Sequence, residues 1–247
     1  MEAKNIKGGR WKIFEPVNHN EIVVFGVDTA SGKEGANESV ITGVSVHTGI
    51  QKCILAGKYT PEEISIEVLK AGWAYYYQHK DNPAEIAIER EFHGATVISE
   101  LIHHKYPAVY FHAYHIDTFN SGSNNFGWDA RKYKQPAIDY LQKSIGWSIS
   151  KNPEEKRRAL YVKDPDTISQ LGWYQRDKKT GKFGAMRGKY DDRVSALMIA
   201  NWVRMERMAR VFDPPVEEAQ KEMSHADVIM AGVKKNDDRD AGPRELS

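Results

Sequence analysis

Glu21-Ile22-Val23-Val24-Phe25-Gly26-Val27-Asp28 is an apolar run of strand length that ends in an acid and a small-residue turn, Thr29-Ala30-Ser31-Gly32. Its Ile, Val and Phe content predicts a buried, central strand. Outward from it, Ser39 to His47 and Gln51 to Tyr59 read as two more strands joined across Thr48-Gly49-Ile50, so the opening is expected to be a three-stranded antiparallel meander. Thr60-Pro61-Glu62-Glu63 supplies an N-cap, a proline at the first helical position and a capping-box Glu, predicting a helix to about Gln78 that Asp81-Asn82-Pro83 stops.

Beyond this the rhythm changes. Glu85 to Glu89 reads as a strand, Ala95 to His104 as a helix and Ala108 to His112 as a strand, a βαβ order. Tyr133 to Ile145 and Asp191 to about Val211 are the remaining helices, the second carrying Val194, Leu197, Met198, Ala200, Trp202 and Val203 on an apolar face. Periodicity is weaker between them. The expected fold is α/β, with a mixed central sheet of three antiparallel strands followed by parallel ones, flanked by helices. Residues 1–20 read as an arm or linker, 21–212 as one domain and 213–247 as a charged tail rich in Glu, Lys, Asp and Arg.

Composition narrows the function classes. No apolar run approaches the roughly 20 residues of a membrane span, so no membrane partner is expected. A single cysteine, Cys53, excludes an internal disulfide and a cysteine-based zinc cluster. His103, His104, His112 and His115 have neither Cys partners nor a helical H-E-x-x-H pattern. The net charge of +1 is neutral on nucleic acid, because basic patches beside an acidic site nearly cancel. The turn after Asp28 is not a P-loop. Gly26 and Gly32 are separated by five residues rather than four, Glu34 follows Lys33 where a Ser or Thr is needed, and Asp28 would repel phosphate.

Three acidic positions stand out. Asp28 closes the first strand, Glu89 closes Ala84-Glu85-Ile86-Ala87-Ile88, and Asp191-Asp192 opens the long apolar helix. Each alone has an ordinary reading: a turn-starting Asp, a strand-end Glu beside Arg90, and acids favoured by a helix dipole. Together they are carboxylates expected to converge from separate elements, which is how a chain builds an oxygen-rich site for two magnesium or manganese ions. In-line phosphodiester hydrolysis needs one cation to activate water and a second, about 4 Å away, for the leaving 3′ oxygen. The absence of His and Cys from these positions favours hard cations over zinc. Asp191 and Asp192 point about 100° apart on a helix, so either or both could ligate.

Basic residues gather beside the third acid. Arg176, Lys178, Lys179, Lys182, Arg187 and Lys189 surround Lys179-Thr180-Gly181-Lys182, which reads as a hairpin tip able to touch DNA phosphates. Arg131 and Lys132, with Lys134, form a weaker patch, and Lys33, Arg90 and His93 flank the first two acids as further DNA-contact candidates.

Taken together, these segments resemble the nuclease domain of tailed-bacteriophage large terminase subunits. Gly26-Val27-Asp28-Thr29-Ala30, then Ala87-Ile88-Glu89-Arg90 with His93-Gly94, then Asp191-Asp192-Arg193-Val194-Ser195-Ala196-Leu197 resemble that family's three acidic motifs in order. Phe126-Gly127-Trp128 with Lys134-Gln135-Pro136 resembles an intermediate segment. The resemblance implies an RNase H-like fold, two-metal endonucleolytic cleavage of double-stranded viral DNA during genome packaging, and action in the cytoplasm of an infected bacterium. It also implies a portal protein, a small terminase subunit and a packaging ATPase domain as partners. The chain has no Walker motif and is therefore expected to be an excised nuclease domain or a naturally split version. The rivals are another RNase H-like enzyme, such as a junction resolvase, integrase or exonuclease, and a non-catalytic docking module for DNA or a portal.

Overall fold

The computed structural model describes residues 11–18, 21–35, 37–78, 83–111, 126–177 and 181–212. Its sheet has five strands: β1 (Trp11–Ile13), β2 (Val23–Asp28), β3 (Ser39–Ser45), β4 (Gln51–Gly57) and β5 (Glu85–Ile88), in the order β1-β4-β3-β2-β5. β2, β3 and β4 form the expected antiparallel meander, and β5 pairs parallel to β2. The mixed sheet is thus as the sequence predicts. Part of the expected arm is not loose chain. Trp11–Ile13 pairs antiparallel with β4, and three residues are too few to show a period.

The segment 108–111 continues the parallel side through isolated bridges rather than a full strand. Ile86 pairs with Val109, and Glu89 with Trp128. Trp128 donates its N–H to the Ile88 carbonyl at 2.7 Å, and Arg90 donates to the Trp128 carbonyl at 3.0 Å. The aromatic segment 126–128 therefore lies alongside the end of β5.

Helices cover both sheet faces. α1 (Pro61–Gln78) starts at the expected capping box: Glu63 N–H donates to Thr60 Oγ1 at 3.3 Å, and Thr60 N–H donates to Glu63 Oε2 at 2.9 Å. With α2 (Gly94–His103) it packs on Val23, Phe25, Val27, Ile86 and Ile88. The opposite face, Val24, Val44 and Ala87, packs on α3 (Ala130–Gly146) and the long C-terminal helix (Asp192–Phe212). α3 begins three residues earlier than predicted because Asp129 caps it, accepting from Arg131 N–H at 3.1 Å.

The weakly periodic stretch resolves into short elements, two of them helices with their own capping side chains. A 3-10 turn (Trp147–Ile149) is followed by α4 (Pro153–Arg158), capped by Asn152, and α5 (Pro165–Trp173), capped by Asp164. β6 (Tyr174–Arg176) and β7 (Phe183–Ala185) then pair as the expected hairpin, and α6 is the C-terminal helix. Among the described residues, no helix is long and apolar enough to cross a membrane. The expected tail, the stop at Asp81-Asn82, His112, His115, Lys178 and Lys179 lie outside the described residues.

Candidate active site

The strand period of two places Asp28 and Glu89 on one face. Gly26 and Asp28 share the face of Val24, and Glu89 shares that of Ala87, so both acids leave the sheet toward the side that α3 and α6 cover. The register keeps them side by side: Val27 pairs with Ile88, and Glu89 N–H donates to the Val27 carbonyl at 3.1 Å. α6 approaches β2 closely because Gly26 has no side chain. A Cβ there would lie 2.1 Å from the Ala196 carbonyl oxygen and 2.5 Å from Ala200 N. This contact fixes the start of α6, where the Asp191 carbonyl accepts from Ser195 N–H at 2.8 Å and Asp192 occupies the first turn.

All four predicted acids therefore meet at one end of the sheet. Burial raises the Asp28 carboxyl well above the usual carboxylate range, and repulsion by Glu89, Asp192 and Asp191 adds to it. Burial also raises Glu89. Lys134 opposes the shift, while Glu91 and Asp191 reinforce it. Asp192 is pushed up to about 6, first by burial, with Asp191 and Glu38 adding repulsion against the Glu38 N–H bond and Lys58.

The donor set suits a hard cation. Every predicted ligand is a carboxylate oxygen, and among the described residues neither Asp28 nor Glu89 has a hydrogen-bond donor or ion-pair partner for its side chain. The helix acids are held by backbone instead. Asp191 Oδ2 accepts from Ala185 N–H at 3.2 Å, and Asp192 Oδ2 accepts from Glu38 N–H at 2.9 Å. Turned to these donors, the side chains do not close into a cage: among the described residues, no three His, Cys, Asp or Glu side chains form a group able to hold a metal ion.

No protein-family model matches the chain, and no curated protein matches it. Solved structures do. The large terminase nuclease of thermophilic phage G20c, with bound magnesium, superposes with a TM-score of 0.57 at 16% identity, over 82% of this chain and 90% of that one. The chain has a large terminase nuclease fold. The same G20c nuclease with bound cobalt gives 0.57 at 14% identity, over 82% and 90% of the two chains. A further structure of it gives 0.54 at 17%, over 81% and 90%. The RNase H-like architecture of the terminase nuclease accounts for the mixed sheet described above.

Within this terminase nuclease fold, the predicted basic residues divide into two groups. Lys33, His93, Lys132, Arg176, Lys182, Arg187 and Lys189 are exposed, although Arg176 Nε donates to the Gly181 carbonyl at 3.0 Å and Lys189 sits 4.9 Å from the Trp173 ring centroid. Arg90 and Arg131 are engaged: Arg90 pairs with Asp129, and Arg131 with Glu91 at 2.7 Å. Lys134 was legible only as part of a patch, yet it is the cation facing Asp28 and Glu89. Its row on α3, Lys134-Ala137-Ile138-Leu141, turns toward the core, and that spacing was the available signal.

A supporting network escaped the sequence reading. Arg193 reaches Glu38 at 3.2 Å, buried Asp164 at 3.0 Å and Asp166 at 3.2 Å, and its N–H donates to Gln170 Oε1 at 2.9 Å. Lys12 of β1 joins Asp164 at 3.1 Å and Asp166 at 2.8 Å. The sequence signal was Asp164-Pro165, an N-cap followed by proline at the first helical position.

Proposed function

We propose that this chain is a metal-dependent endodeoxyribonuclease that cleaves double-stranded viral DNA during genome packaging, as the nuclease part of a large terminase. One observation carries the reading: half-buried Asp28 and Glu89 lack donors among the described residues and face Asp191 and Asp192 at the start of α6, in a terminase nuclease fold. Asp28, Glu89 and one or both helix acids would hold two divalent ions, magnesium or manganese. When bound, such ions supply an activated water and charge stabilisation for the leaving 3′ oxygen.

The chain's own residues do the rest. Gly26 lets α6 dock so that its first turn faces both strand ends. Arg193, through Glu38, steadies the backbone N–H that orients Asp192. The exposed lysines and arginines of the β6–β7 hairpin, with Lys33, His93 and Lys132, bind the DNA backbone in this reading. A packaging ATPase, a portal and a small terminase subunit are the partners it assigns, in an infected bacterial cytoplasm.

The test is plasmid cleavage with magnesium or manganese. Asp28→Asn removes charge at nearly constant shape, so it is expected to abolish cutting while circular dichroism stays unchanged. Persistent cleavage by that variant would overturn the mechanism. Linear duplex, four-way junctions and RNA–DNA hybrids tested in parallel distinguish a terminase substrate from that of a resolvase or hybrid-specific enzyme.

A further inference from the structure

The turn between Glu89 and α2 places a phenylalanine where the fold alone gives it no use. Phe92 is 89% exposed, and its backbone sits at φ 49°, in the left-handed region that bulky residues avoid. The turn is held from both sides. Arg90 donates its N–H to the Trp128 carbonyl at 3.0 Å and pairs through its guanidinium with Asp129. Glu91 pairs with Arg131 at 2.7 Å and accepts through its carbonyl from Gly94 N–H at 3.1 Å. Gly94 completes the clamp, because a Cβ there would lie 1.7 Å from the Glu89 carbonyl oxygen. The surroundings therefore hold the backbone on either side of Phe92 and leave its ring open to solvent. Glycine or asparagine would fit this backbone with less strain.

Three residues of chain span at most about 10 Å, so the backbone that carries the ring lies close to Glu89. His93 and Lys132, both exposed, lie on the same turn and on the adjoining first turn of α3. An apolar ring on a held backbone, next to cations and a candidate phosphodiester-cleaving site, matches the chemistry of side chains that enter a groove and part a base step. Resting on the nuclease reading above, we infer that Phe92 is an apolar wedge that inserts into duplex DNA and unstacks the base step beside the cleaved phosphodiester.

The test uses the full chain carrying Asp28→Asn, so that bound DNA stays intact, on end-labelled duplex probed with permanganate for unstacked thymines. Hyperreactive thymines are expected. They should vanish with Asp28→Asn/Phe92→Ala and persist with Asp28→Asn/Phe92→Leu, which keeps a wedge. Affinity should fall about tenfold with Ala at an unchanged salt slope, since every phosphate-binding cation is still in place. Phe92→Gly should weaken binding equally while leaving Tm unchanged or raised, a pair of effects that a packing residue would not give. If Phe92→Ala alters neither affinity nor permanganate pattern while the wild-type chain cuts DNA, the wedge is overturned, the nuclease reading stands, and the ring serves a protein contact. If the wild-type chain neither binds nor cuts duplex, the nuclease reading fails and the wedge falls with it.

Discussion

Asp28, Glu89 and Asp192 share an electrostatic penalty that the metal-free protein carries in its folded state. Each carboxyl is raised by burial before any neighbour acts on it, Asp192 to about 6. Such a group contributes stability that is present below its ordinary range and is lost as pH climbs through the folded value. Metal-free protein should therefore lose stability between about pH 4 and pH 7, by roughly 2 kcal/mol for Asp192. Asp192→Asn, measured by thermal unfolding in EDTA, should raise Tm near pH 7 and leave it unchanged near pH 4. Equal effects at both pH values would remove the penalty from the account. Asp164 works in the opposite sense. Burial would raise it, but Thr167 and Lys12 together hold it low, so its contribution is present at neutral pH and lost in acid. At this scale the acids were legible because a carboxylate closing an apolar strand is conspicuous. Lys134, Lys58 and Arg193 were not, because the direction a cation points depends on how its helix docks.

Between β2 and α6 the decisive contact is an absence of atoms. Gly26→Ala would drive a Cβ into the α6 backbone at Ala196 and Ala200, with no flexible side chain to yield. A loss of at least ~2 kcal/mol is expected, together with a smaller thermal shift on adding manganese, because the helix start retreats from Asp28. Denaturant melts of the two proteins with and without metal check both. Arg193 ties α5, α6 and the segment before β3 together, and its partner Asp164 is fully buried. Arg193→Met should cost about 2 kcal/mol, because buried Asp164 loses one cation but keeps Lys12 and its bonds from Thr167, and the same substitution should cost less beside Asp164→Asn. A double-mutant cycle gives the coupling. The long elements were legible from periodicity and caps. β1, α4 and α5 were harder to read, being three to nine residues long with tertiary pairing in place of a pattern.

A molecule with a net charge of +1 cannot attract DNA by its overall field, so any attraction is local. Lys178→Glu, Lys179→Glu and Lys182→Glu together should weaken duplex binding and reduce the slope of log K against log salt by about 3, nearly one for each phosphate left without its lysine. An unchanged slope would remove the hairpin from the interface. The order of the fold was legible as a whole, since a meander followed by a βαβ unit leaves few arrangements for a mixed sheet. The convergence of the acids was legible as an expectation from three acid-bearing element ends, although sequence alone gives no distance between residues 28 and 192. That separation has its own consequence for synthesis. The five strands of the main sheet all precede residue 90, whereas the last carboxylates arrive only with the C-terminal helix. In the proposed reading, a polypeptide that stops short of that helix lacks the second half of its ligand set and should not cut DNA.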